Sequence, residues 1–172
     1  MKNLTIQKAT LKDIDQLQGI SQQTFYETFA AFNTKENMAN YLEEAFSTKK
    51  LNTEINDENI EFYFAIFDEQ IIGYLKINFG PSQTELQDGN TVEIERIYVL
   101  KDFHGRKVGQ ALFDKAIIIA QDRKADYLWL GVWEQNLRAL RFYKKNGFIE
   151  FDKHIFRLGN EVQTDIMLKL EL

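Results

Sequence analysis

A chain of 172 residues, 44% hydrophobic and 27% charged, is long enough to bury its own core as one domain without a staple. It has no cysteine, which excludes disulfides, thiolate catalysis and cysteine zinc sites, and its two isolated histidines, His104 and His154, do not suggest a metal site. The formal net charge of −5 argues against a general nucleic-acid binder; it is compatible with a cationic small substrate, although such a charge more often serves only solubility.

Leu4 and Ile6 alternate with polar neighbours and predict a short first strand. Residues 11–32 carry Ile14, Leu17, Ile20, Phe25 and Phe29 near helical spacing, and Thr34 is a candidate N-cap for a second helix through Met38, Tyr41, Leu42 and Phe46. Residues 62–67 and 71–77 are rich in strand formers and predict a hairpin, followed by a polar loop over 80–90. Residues 92–99 predict a strand, and Val108, Ala111, Leu112, Lys115, Ala116 and Ile119 an amphipathic helix. Residues 127–133 predict a strand with both faces covered, and Asn136 can cap a further helix ending before Gly147. Two runs over 151–158 and 162–170 predict an antiparallel pair. The order implies a layered α/β domain with a mixed sheet over residues 1–172. No stretch has the apolar length of a membrane span and the start lacks a signal-peptide core, so no membrane partner and a cytoplasmic home are expected.

The strand–helix–strand unit over 92–133 is where chemistry is expected, because ligands of such units lie beyond the strand ends and face the helix N-terminus. Its turn runs Asp102-Phe103-His104-Gly105-Arg106-Lys107-Val108-Gly109-Gln110-Ala111. Gly105 and Gly109 allow close backbone approach, first-turn N–H groups favour a phosphate, and Arg106 and Lys107 add positive charge. The spacing fits neither a Walker A loop nor a dinucleotide fingerprint, and a two-glycine turn alone is as often a simple connection.

Two blocks change that balance. Glu95-Arg96-Ile97-Tyr98-Val99 followed by His104 to Leu112, and then Trp129 to Asn136 with Ala139 and Phe142 to Phe148, resemble in order and spacing the acetyl-CoA-binding core of the GNAT acetyltransferase superfamily. Within it, residues 23–29, 36–43, 93–98, 129–134 and 163–165 are most similar to the polyamine acetyltransferases of the PaiA type. The resemblance implies the GNAT fold, with a six- to seven-stranded mixed sheet and about four helices, and transfer of acetyl from acetyl-CoA to an amine such as spermidine or spermine. Acetylation of a peptide or protein amine, or regulatory acyl-CoA binding without turnover, are the alternatives. A homodimer is compatible with the fold, whereas no helix-turn-helix or basic stripe points to nucleic acid.

The resemblance also implies site residues. Ile97, Tyr98 and Val99 would hold the pantetheine arm, and His104, Gly105, Arg106, Lys107, Val108, Gly109 and Gln110 the phosphates. The family's loop runs Gln or Arg, two residues, Gly, one residue, then Gly or Ala; here His104 and Lys107 replace the first two, and Lys107 is expected in ordinary helical dihedrals. Tyr143 corresponds to the tyrosine that protonates the departing thiolate, with an interior aromatic as the alternative, and Asn136 bonds the pantetheine or only caps its helix. With neither cysteine nor a nucleophile elbow, direct attack by the amine is favoured. Strand alternation puts Glu93 and Glu95 on one face with Ile97 and Val99, so Glu95 is the candidate base, with an ion pair as its alternative role and Tyr98 or Glu134 as other bases. Tyr26, Glu27, Tyr41 and Glu134 are candidates for contacting the acceptor.

Overall fold

The computed structural model describes residues 3–85, 89–158 and 161–172. Seven strands, β1 (Leu4–Lys8), β2 (Ile60–Phe67), β3 (Gln70–Phe79), β4 (Thr91–Val99), β5 (Tyr127–Trp133), β6 (Ile149–Leu158) and β7 (Glu161–Glu171), form one sheet in the order β1-β2-β3-β4-β5-β7-β6. Only β4 and β5 run parallel; the other neighbours are antiparallel. The predicted terminal pair is present, with β7 inserted between β5 and β6.

Among the described residues five α-helices flank the sheet: α1 (Ile14–Phe29), α2 (Lys35–Ala45), α3 (Thr48–Ile55), α4 (Val108–Asp122) and α5 (Leu137–Lys145). The span predicted for the first helix is α1 with a 3-10 turn at each end, Leu11–Asp13 and Ala30–Phe32. Thr34 caps α2, its hydroxyl accepting from the Asn37 N–H at 3.1 Å, and Asn136 caps α5 by accepting from the Ala139 N–H at 3.2 Å. The expectation of about four helices missed α3, an eight-residue helix capped by Ser47 and anchored by the fully buried Leu51. So short a helix leaves too few turns for an apolar period to register.

The two sheet faces can be told apart by register. Tyr63, Leu75 and Ile97 are successive cross-strand partners, and the Lys115 ammonium of α4 lies 5.1 Å from the Tyr63 ring centre. Tyr74 and Tyr98 pair on the opposite face, where the Tyr98 ring meets Phe25 and Phe29 of α1. α1 therefore covers one face and α4 the other, with α5 set against α4 through Phe142 and Phe113.

Two irregularities in β4 make the site. Its parallel pairing with β5 extends from Thr91↔Tyr127 only to Glu93↔Trp129, while its pairing with β3 continues to Val99. Past Glu93 the strands part, and the β5-facing backbone groups of β4 are left open between them. The second irregularity is a bulge: Lys76 pairs with Arg96 but Ile77 pairs with Ile94, so Glu95 is the extra residue. The expectation that Glu95 shares a face with Ile97 and Val99 is thereby overturned, because the bulge breaks the two-residue alternation. Glu95 turns instead toward Asn78, Lys76 and Arg96.

Candidate active site

Two cavities meet where β4 and β5 part. The first, of about 440 Å³, runs from the open edge of β4 to the start of α4. Ile97, Tyr98 and Val99 form one wall, the turn residues His104, Gly105, Lys107, Val108, Gly109 and Gln110 form the end, and Asn136 and Tyr143 close the α5 side. The second, of about 420 Å³, opens on the α1–α2 face and shares Ile97, Tyr98, Asn136, Ala139 and Tyr143 with the first.

The turn before α4 is built to face an anion. Gly105 adopts φ +77° and a Cβ there would meet nothing within 4 Å; a Cβ on Gly109 would also enter open space. Lys107, the residue before α4, makes no side-chain cap, so the N–H groups of the first helical turn point outward unsatisfied. The expectation of helical dihedrals at Lys107 is wrong: φ is 65° and ψ 13°, the left-handed region. That conformation is natural to glycine, which is why glycine stands at this place in the related pattern. His104 lies at the mouth, its Nε2 2.7 Å from the Val99 carbonyl and its Nδ1 against the Arg138 guanidinium. Burial holds the imidazole below its ordinary pKa, which suits a neutral ring donating to Val99 and accepting from Arg138. Arg106 does not line this cavity; its guanidinium stacks 5.3 Å from the Phe103 ring centre. An open left-handed turn, free N–H groups and an unpaired strand edge fit a phosphate with a pantetheine arm, so acetyl-CoA can be held by the β4 backbone and this cradle.

Tyr143 forms part of both cavities. Its side chain is buried against Phe142 and Phe148, its hydroxyl makes no hydrogen bond among the described residues, and burial raises its pKa. It is a proton-bearing group at the junction.

The second cavity has aromatic walls and an acidic lining. Tyr41 stacks on Phe25 with ring centres 4.5 Å apart, and Phe29 packs on Trp133 at 6.0 Å. Four carboxylates, Glu85, Glu93, Glu95 and Asp165, face one guanidinium, Arg96. Glu95 is committed: Lys76 lies 2.6 Å and Arg96 3.2 Å from its oxygens. Burial alone would raise its pKa, but the charges of Arg96 and Lys76 bring it down to about 2. So weak a base is poorly matched to taking a proton from an amine, and the ion-pair reading of Glu95 fits better. Glu93 is raised by burial against opposing hydrogen bonds, with Asn78 and the Thr84 N–H and hydroxyl on its oxygens. Those bonds, with Trp129 and Thr91 donating to Gln83, strap the segment after β3 across the cavity and carry Glu85 to its rim. Glu85 meets His154, as does Asp165.

The other acceptor candidates separate. Tyr41 lines the cavity; Tyr26 and Glu134 are exposed and line neither cavity. Glu27 also lies outside both, because its carboxylate accepts from the Lys101 N–H at 2.8 Å and ties α1 to the turn after β4. Burial pushes Tyr98 well above the ordinary phenol range, which removes it as a base. Sequence reasoning gave no site role to Glu85, His154, Asp165 or Trp133; Trp133 and Asp165 lie inside the blocks that carry the resemblance, and strand pairing sets His154 against Asp165.

Among the described residues no three metal-ligating side chains are grouped, and no helix is long and apolar enough to cross a membrane. Residues 22–148 match the model of the Acetyltransferase (GNAT) family. An uncharacterized N-acetyltransferase of Lactobacillus delbrueckii subsp. lactis is 40% identical over 172 residues, covering 100% of this chain and 99% of its own. A spermidine N(1)-acetyltransferase of Thermoplasma acidophilum is 25% identical over 150 residues, 85% of this chain and 88% of its own. The crystal structure of the PaiA N-acetyltransferase of Thermoplasma acidophilum in complex with coenzyme A superposes with a TM-score of 0.81 at 23% identity, covering 98% of this chain and 99% of that one. The parted parallel strands, the glycine turn and these relatives lead to one conclusion: the chain belongs to the GNAT family of N-acetyltransferases, enzymes that use acetyl-CoA.

Proposed function

We propose that this enzyme transfers acetyl directly from acetyl-CoA to a primary amine of a polyamine such as spermidine or spermine. The observation that carries the acceptor class is the second cavity: carboxylates outnumber cations on its lining, and Phe25, Phe29, Tyr41 and Trp133 present faces and edges to a cationic chain. The spermidine acetyltransferase among its relatives supports the same reading.

When bound, acetyl-CoA supplies a thioester whose carbonyl carbon an amine can attack. The chain's own part is placement, polarisation and proton handling. An open N–H of β4 between Ile97 and Val99 polarises the carbonyl oxygen, being fixed in the strand before reaction. The two cavities hold donor and acceptor on either side of the parted strands, which supplies the proximity that direct transfer needs. Tyr143 keeps its hydroxyl protonated and gives that proton to the departing sulfur. Asn136 fixes the start of α5, and with it the position of Tyr143.

The test is acetyl-CoA-dependent thiol release by the purified protein with spermidine, spermine, an unstructured peptide and buffer. Turnover with the polyamines well above the others is expected. Release with the peptide alone would discard the polyamine, and saturable acetyl-CoA binding without release to any acceptor would make the domain a regulatory binder.

A further inference from the structure

An alkylamine is a cation at neutral pH and must lose a proton before its nitrogen can attack. The lining of the acceptor cavity offers few places for that proton. Tyr41 and Tyr98, half-buried, and Tyr143, buried, are phenols whose pKa burial raises, so they keep their own. Glu95 is tied to Lys76 and Arg96, and both Glu93 oxygens accept hydrogen bonds.

The outer wall is different. His154 of β6 stands between two carboxylates, its Nδ1 2.8 Å from Glu85 Oε1 and its Nε2 3.7 Å from Asp165 Oδ2. Asp165 is its cross-strand partner on β7, and Glu85 is brought in by the strap after β3. The ring lies over β5 at its one glycine: a Cβ on Gly131 would be 3.3 Å from His154 Cε1. Gly131 is two residues past Trp129, the last residue of β5 paired with β4, so the imidazole overhangs the floor where the strands have parted. The charged and titratable groups around it are Glu85, Asp165, Glu93, Glu95 and Arg96, with Tyr41 from α2 and Tyr143 from α5 lining the same cavity.

The geometry points to His154 as the catalytic base for the acceptor, an assignment that rests on the amine-acetylation reading above. Glu85 lies at ion-pair distance from Nδ1, and Nε2, with Asp165 no nearer than 3.7 Å, is the nitrogen that takes the proton. One N–H bond of the ammonium breaks to Nε2 and the nitrogen pair forms the new N–C bond as the C–S bond breaks. Of the two protons the nitrogen loses, one leaves through the partly exposed imidazole to solvent. The other balances the proton that Tyr143 gives to sulfur, so one net proton is released.

The experiment compares wild type with His154→Gln in kcat/KM for spermidine from pH 6 to 10, and follows imidazole NMR signals on adding spermidine without acetyl-CoA. With two histidines in the chain, the variant assigns the spectrum. The variant should lose about 100-fold at neutral pH, with the gap closing toward pH 10 as free amine accumulates. Spermidine should move the His154 signals and leave those of His104 in place. A uniform loss at every pH, an unchanged rate, or His154 signals indifferent to spermidine would each overturn the assignment while leaving amine acetylation intact. A wild type that acetylates no amine would instead remove the reading on which it rests.

Discussion

The ammonium of Lys76 lies 2.6 Å from Oε2 of Glu95, which lines the second cavity, with only 3% of the lysine side chain exposed. Arg96 completes the cluster from the other side of Glu95, its guanidinium over the Phe46 ring at 4.6 Å. Replacing Glu95 by Gln leaves the buried Arg96 without its carboxylate and Lys76 with Glu54 alone, at 2.9 Å, which should cost roughly 3 kcal/mol of unfolding free energy. The pH dependence has a definite sign. Glu95 is depressed to about 2 in the fold, so its contribution is complete above the ordinary carboxylate range and fades as pH falls toward 2. Urea unfolding of wild type and Glu95→Gln should therefore differ most near neutrality and converge between about pH 4 and pH 2.

Tyr143→Phe should lower kcat by about 100-fold or more while leaving acetyl-CoA binding unchanged. Because the hydroxyl makes no hydrogen bond among the described residues, stability should stay within about 1 kcal/mol of wild type. Turnover and calorimetric binding on the same preparation check both statements.

Lys107 carries left-handed strain at φ 65°. Lys107→Gly should relieve it and raise unfolding free energy by up to about 1 kcal/mol, whereas Lys107→Ala, which keeps a Cβ, should show no such gain. The glycine variant also loses an ammonium at the phosphate cradle, so its acetyl-CoA KM should rise as its melting temperature rises. Opposite movement of the two quantities distinguishes backbone relief from a general change in the fold.

Gly131→Ala should press on His154, at 3.3 Å, while meeting Asp165 only in ordinary contact, at 3.6 Å. The acceptor KM should increase several-fold with the acetyl-CoA KM unchanged, because Gly131 lines only the second cavity. Equal changes in both constants would show that the two cavities are not separable in this way.

Much of the architecture was legible because it is local. Thr34 and Asn136 announce helix starts by side-chain chemistry three residues deep, and the parallel unit is marked by apolar strands around an amphipathic helix. What escaped depends on pairing across the chain. The bulge at Glu95 exists only in the match between β3 and β4, so strand alternation put its side chain on the wrong face. Glu27 has the composition of an acceptor contact, yet the docking of α1 delivers it to the Lys101 N–H. His154 looks isolated in sequence and gains its two carboxylates only when β7 enters beside β6 and the strap closes over β5. The left-handed dihedrals of Lys107 were missed, although the glycine usual at that place carried the clue by resemblance.

Direct transfer between two cavities that share Tyr143 is tested most directly by initial velocities with acetyl-CoA and spermidine varied together. Intersecting double-reciprocal lines, with turnover that collapses in Tyr143→Phe, are the predicted result. Parallel lines, which require the acetyl group to reside on the protein between two half-reactions, would contradict it.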